Sequence, residues 1–181
     1  MPFVVCCALV YFWTLRFSRI GDFYTLRLGF FGNLDLRIIQ GTRCRQLATY
    51  VIFDSPLNML CDNPSNYKRE PECTAFIARI PTVWDETLGL DGKVGEYITM
   101  ARRSGDEWYV GGLTNWDKRD ITVDLSFLGE GFYEIELFKD GINADRAACD
   151  YKRVVMPVPE DRQLKVTLFP GGGFAGRIKR R

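Results

Sequence analysis

From Val83 onward, apolar and polar residues alternate in short runs. Tyr97-Ile98-Thr99-Met100-Ala101 reads as a strand, and Ser104-Gly105-Asp106 as a hairpin turn into Trp108-Tyr109-Val110. Ile121, Val123 and Leu125 alternate with Thr122 and Asp124; Tyr133, Ile135 and Leu137 alternate with Glu134 and Glu136; Leu164, Val166 and Leu168 alternate with Lys165 and Thr167. Successive side chains of a strand point to opposite faces, so a period of two buries one face and wets the other. Several such runs separated by Gly-rich turns predict an antiparallel β-sandwich over about 84–181.

Between residues 41 and 83 the spacing is helical. Thr42 can cap a run in which Leu47, Tyr50 and Val51 share one face, and Ser55-Pro56 breaks or bends it. Asp62-Asn63-Pro64-Ser65-Asn66 predicts a loop. Pro71 then opens a second helix, with Glu70 and Glu72 at its positive end. Its apolar positions Cys73, Phe76, Ile77 and Ile80 follow i, i+3, i+4, i+7, and Pro81 stops it. Residues 1–40 show no sustained period and no motif, although Tyr24–Leu28 fits a strand.

Composition mainly excludes. The chain has no histidine, which removes Ser-His-Asp and Cys-His nucleophile activation, His-ligated zinc and histidine general bases. Lys plus Arg (24) nearly balances Asp plus Glu (23), so no basic face points to nucleic acid. Cysteines at 6, 7, 44, 61, 73 and 149 include no C-x-x-C and are expected to be mostly free. No apolar run is long enough to span a bilayer, so no membrane partner is expected. The apolar stretch from Phe3 to Trp13 lacks a preceding Lys or Arg and a small-residue cleavage site, which argues against a signal peptide.

A longer pattern then becomes visible. Gly41-Thr42-Arg43, Gln46-Leu47-Ala48, Phe53-Asp54-Ser55-Pro56-Leu57, Pro64-Ser65-Asn66-Tyr67 and Glu70-Pro71-Glu72-Cys73 follow one another in order. After them come Ile80-Pro81-Thr82-Val83-Trp84-Asp85-Glu86-Thr87, Leu90-Asp91-Gly92-Lys93-Val94-Gly95-Glu96-Tyr97, Asp140-Gly141-Ile142-Asn143-Ala144-Asp145 and Pro170-Gly171-Gly172-Gly173. Over about three quarters of the chain this resembles the C-terminal part of glycoside hydrolase family 97, enzymes acting on α-glucosides or α-galactosides. The resemblance implies a parent with an N-terminal β-sandwich, a central (β/α)8 barrel and a C-terminal β-sandwich. The expected fold is therefore mainly β: an antiparallel sandwich (84–181) preceded by the last helical segment (41–83) of a truncated barrel. Residues 1–40 are unmatched, and a coding sequence that rejoins frame near Gln40 would explain them; translating the other two frames tests this.

The resemblance places the family's catalytic carboxylates, and the acidic residues for its calcium ion, upstream of Gly41. No catalytic, cofactor or metal residue is therefore assigned in this chain. It also implies an oligosaccharide substrate for the parent and a periplasmic location. Glycoside hydrolysis needs two carboxyl groups roughly 5–10 Å apart, on either side of the scissile bond. Asp85 and Glu86 are adjacent and expected on opposite faces of a strand; Glu70 and Glu72 read as helix-start charges, and Asp54 as a cap or turn residue. Asp140, Asn143 and Asp145 lack the spacing of a calcium loop. Gly171-Gly172-Gly173 reads as a bend before a last strand.

Three functions compete. The first is the C-terminal piece of a family 97 α-glycosidase that lacks its own catalytic acids. The second is a carbohydrate-binding sandwich using Trp108, Tyr109, Trp116, Phe132 and Tyr133. The third is a small hydrolase with Glu86 or Glu96 as proton donor. With the barrel missing, the helices are expected to expose their apolar stripes and to self-associate through them. Two facing, partly shielded carboxyls in one sugar-sized groove would refute the first reading.

Overall fold

The computed structural model describes residues 41–54 and 63–181. The strand at Tyr24–Leu28, the Ser55-Pro56 break, and Cys6, Cys7 and Cys61 lie outside the described residues. Among the described residues, three helices precede eight strands: α1 (Arg43–Ile52), α2 (Pro64–Arg69), α3 (Pro71–Ile77), β1 (Glu86–Lys93), β2 (Tyr97–Ser104), β3 (Glu107–Thr114), β4 (Arg119–Asp124), β5 (Tyr133–Asp140), β6 (Tyr151–Pro157), β7 (Gln163–Leu168) and β8 (Gly173–Arg180). Six strands form one antiparallel sheet in the order β1-β2-β3-β8-β5-β6, and β4 pairs with β7 as a separate ribbon.

The alternation read from the sequence builds the space between these two sheets. Val110, Ile135, Leu137, Phe174 and Ile178 face Val123, Leu164, Val166 and Leu168 of the ribbon, all essentially without solvent contact. The architecture is the antiparallel sandwich with a helical N-terminal segment that the pattern predicts. The outermost strands of the large sheet are blunted against further pairing. β1 has a bulge between Gly89 and Asp91, while β6 carries Lys152 and Arg153 and ends at Pro157.

Two expectations need correction. Asn63-Pro64 starts a helix rather than continuing a loop: the Asn63 side chain accepts from Ser65 N at 3.1 Å, and Pro64 takes the first turn, where its missing N–H costs nothing. The helices also do not leave their apolar stripes exposed. The large sheet is apolar on both faces, and its second face takes Cys44, Leu47, Ala48 and Ile52 of α1 with Cys73 and Phe76 of α3. They pack against Leu113, Phe138 and Ala175, with Phe76 and Phe138 ring centroids 4.8 Å apart. Self-association through exposed helices therefore loses its physical basis, since the sheet itself covers the apolar stripes.

Candidate functional site

Beyond the helix layer, the outer face of the large sheet continues as an open groove of about 380 Å³. The period that buries Ile135 and Leu137 turns Glu134 and Glu136 outward into it. Glu136 accepts from Arg153 Nε at 2.9 Å on one oxygen and from Arg79 Nη1 at 3.3 Å on the other. Glu134 lies 3.3 Å from Lys179 Nζ and accepts from Arg181 Nη2 at 2.7 Å. The Arg181 hydrogen bond, followed by that of Lys179, holds the Glu134 carboxyl below its usual range. Arg177, in the same groove, is gripped by Glu107 through both Nε and Nη2.

Two partly shielded carboxyls thus share one sugar-sized groove. They are two residues apart on one strand, side by side at roughly 6.6 Å, rather than opposed across a bond. A glycosidic acid keeps its proton through a raised pKa. Glu134 is shifted the other way, and both oxygens of Glu136 already accept from guanidinium groups. The groove is an ion-pair network and does not form an acid–base pair.

The carboxylates considered from the sequence also have basic, hydroxyl or backbone N–H neighbours. Asp85 accepts from Gly105 N at 2.7 Å, and Glu86 from Arg103 Nε at 3.1 Å. Asp85 precedes β1, so the pleat does not separate the two and Arg103 meets both. Glu70 pairs with buried Arg43 at 2.7 Å, and Glu72 accepts from Tyr151 Oη at 3.1 Å. Asp54 lies exposed, 3.6 Å from Arg102. Glu96 pairs with Arg119 at 2.9 Å and with Lys93, whose hydrogen bond is the main cause lowering its pKa.

The predicted aromatic platform does not form. Trp108 faces the sandwich core against Phe127, while Tyr109 sits on the opposite face, donating to the Arg79 carbonyl at 2.9 Å. Tyr133 lies under Arg162. Trp116 follows β3 beside the start of β8, and Phe132 lies beside its far end, so the length of that strand, roughly 25 Å, separates them. Trp84 packs edge-on against Tyr109 at 5.4 Å, with Arg102 over its ring.

The most built-up polar site is one the sequence did not single out as such. Asp140, the last residue of β5, is 7% exposed and accepts from Thr42 Oγ1 at 2.6 Å, Gly173 N at 3.1 Å and Phe169 N at 3.2 Å. Burial pushes its carboxyl up to about 6, against the pull of these donors. Thr42 at the same time caps α1, accepting from Arg45 N at 3.2 Å. The backbone continues the seam: Thr42 N donates to Gly171 O at 3.1 Å, and Arg43 N to Ala148 O at 2.8 Å. Gly41 and Gly171 have φ of +94° and +66°, and a Cβ on Gly41 would overlap the Gly171 carbonyl. The start of α1 is thus bolted to the turn before β8.

Residues 83–179 match the family model described as glycosyl-hydrolase 97 C-terminal, oligomerisation. The chain belongs to glycoside hydrolase family 97. Over 140 residues, 77% of this chain and 21% of the relative, it is 68% identical to a retaining alpha-galactosidase of Bacteroides thetaiotaomicron. A probable retaining alpha-galactosidase of Streptomyces bingchenggensis is 32% identical over 130 residues, 72% of this chain and 19% of the relative. A family 97 enzyme from Pseudoalteromonas sp. strain K8, solved in complex with acarbose, superposes with a TM-score of 0.74 at 36% identity over 78% of this chain and 23% of its own. The chain spans about a fifth of the length of the curated relatives it matches.

Within family 97 the matched residues correspond to the C-terminal portion. The calcium implied by the resemblance does not fit the residues described. Asp140 gives its oxygens to Thr42, Phe169 and Gly173, and Asp150 accepts from Asn143 N at 2.8 Å. Among the described residues, no three acidic or thiol side chains converge as a metal site would require.

Proposed function

We propose that this chain is the non-catalytic C-terminal module of a family 97 α-glycosidase, bracing the catalytic barrel and contributing to assembly of the enzyme. The observation that carries the reading is the state of Glu134 and Glu136: they share a groove but stand side by side, each held by two cations. The α1–α3 layer, locked onto the sheet, supplies a rigid surface on which a barrel can rest. The names of the similar enzymes favour an α-galactoside substrate for the parent. The family model's description favours a part for this module in oligomer contacts. Calcium, in this reading, belongs to the catalytic domain, and the parent works in the periplasm.

The test is direct. The purified chain is expected to leave p-nitrophenyl α-galactoside and p-nitrophenyl α-glucoside intact, with or without added calcium. Turnover well above a blank, and abolished by Glu134→Gln or Glu136→Gln, would overturn the reading.

A further inference from the structure

The groove on the outer face of the large sheet is unevenly charged. Arg79, Arg153, Arg177 and Lys179 line it against Glu134 and Glu136. Arg181, which pairs with Glu134 from outside, and Glu107 and Glu72, which hold Arg177 and Arg153, leave the balance positive. The strand register sets the layout: Glu136 stands across from Arg177 on β8 and from Val155 on β6, and Glu134 across from Lys179. The two carboxylates lie low, with 14% and 18% of their side-chain surface open. Arg153, Arg79 and Lys179 are far more open, at 39%, 48% and 53%. A ligand entering the groove therefore meets cations first.

That rim has donors to spare. Among the described residues, Arg79 donates only through Nη1, and Arg153 only through Nε and Nη1. Nε and Nη2 of Arg79 and Nη2 of Arg153 have no protein acceptor there. Both guanidinium groups reach Glu136, one on each oxygen, so they flank a single point of the groove. An oxyanion placed at that point gains charge-assisted bonds from both. On the floor, Glu134 and Glu136 only accept, and their remaining lone pairs suit hydroxyl donors. Val155, half-buried beside Glu136, offers an apolar contact. A ring with hydroxyls, a C–H face and one oxyanion meets all three demands. A neutral sugar leaves the spare cationic donors unmatched, and a bare inorganic anion meets the floor carboxylates with nothing to donate. The groove's volume of about 380 Å³ is of the size that takes a small ligand.

We propose that this groove binds an anionic sugar unit, a hexuronate or a sulfated hexose, whose oxyanion bridges Arg79 and Arg153 while its hydroxyls donate to Glu134 and Glu136. The site holds its ligand without cleaving it. This goes beyond the module reading by giving the chain a ligand of its own.

The test is calorimetric titration of the full 181-residue chain at low salt with sodium galacturonate and with galactose 6-sulfate. Galactose and sodium sulfate are titrated alongside. Saturable binding in the millimolar range is expected for at least one anionic sugar, and the tighter of the two identifies the oxyanion. Galactose and sulfate should each bind more weakly by about tenfold or more. Raising the salt should weaken the interaction, because the rim is open to solvent. Arg79→Gln and Arg153→Gln should each weaken it by about tenfold with an unchanged melting temperature. Val155→Glu, at an exposed position of the same groove, should weaken it through charge alone. Lys118→Gln removes the same charge as the arginine variants but lies over Phe169, at the other end of β8, and should leave binding intact. Failure of both anionic sugars to bind would overturn the proposal, as would equally tight binding of galactose or sulfate. Binding that survives the Arg79→Gln/Arg153→Gln double variant and Val155→Glu would overturn the site assigned here. Since the readout is binding and not turnover, either failure leaves the module reading standing.

Discussion

Asp140 sits where a helix start, a strand end and a glycine turn meet, and its chemistry follows from that position. A carboxylate this deeply enclosed is costly to ionise, and its three donors offset only part of the cost. Thr42→Val removes both the cap of α1 and the hydroxyl donor to Asp140. It should lower stability by about 1–2 kcal/mol in urea unfolding, with Thr42→Ser recovering most of it. The acid also sets a pH dependence. Its folded pKa, about 6, lies above the 3.8 of the free side chain. The folded state therefore holds the extra proton between these values. The stability Asp140 contributes is full below about 4 and lost as pH rises through about 6. Comparing wild type with Asp140→Asn from pH 4 to 7, the wild type's relative stability should fall with rising pH; a flat difference would contradict the assignment. The Thr42 cap was legible in the sequence because capping is local. Its partner, 98 positions away, was not.

At the scale of elements, the layer made by α1 and α3 is held by the sheet's second apolar face. Leu47 and Val51 are fully enclosed. Leu47→Ala should cost about 2–5 kcal/mol and loosen α1 selectively. In hydrogen exchange, the amides of Leu47–Ile52 are expected to be protected as strongly as those of β3 and β8 in the wild type, and to exchange much faster in the variant. Rapid exchange of α1 in the wild type would mean that the helices are not part of this core. The strands with clean alternation, β4, β5 and β7, could be read in advance because polar, solvent-facing side chains alternate with their buried ones. The pattern of β8 was faint: Gly173, Phe174, Ala175 and Gly176 are buried on both faces, and glycine and alanine carry little hydropathy signal. The likeness of the two sheet faces also hid the seat of the helices, since Met100, Leu113, Phe138 and Ala175 gave no hint of what would cover them.

For the molecule as a whole, the family was legible from ordered local motifs. What the sequence could not reveal was how its charges would pair, because Glu134 and Glu136 find Arg79, Arg153, Lys179 and Arg181 across strand neighbours and a helix end. The strand order carries a further consequence. The large sheet has β8 in its middle, joined to β3 on one side and β5 on the other. Until that segment has been synthesised, β1–β3 and β5–β6 are two separate ribbons with no shared ladder. The closing step must bring β8 onto β3, as in Trp108↔Ile178 and Leu113↔Gly173, and onto β5, as in Tyr133↔Arg180, all far apart in the chain, a topology that folds late and slowly. A nascent chain interrupted before Gly173 would present two unpaired inner edges, the form most readily captured by chaperones or lost to aggregation.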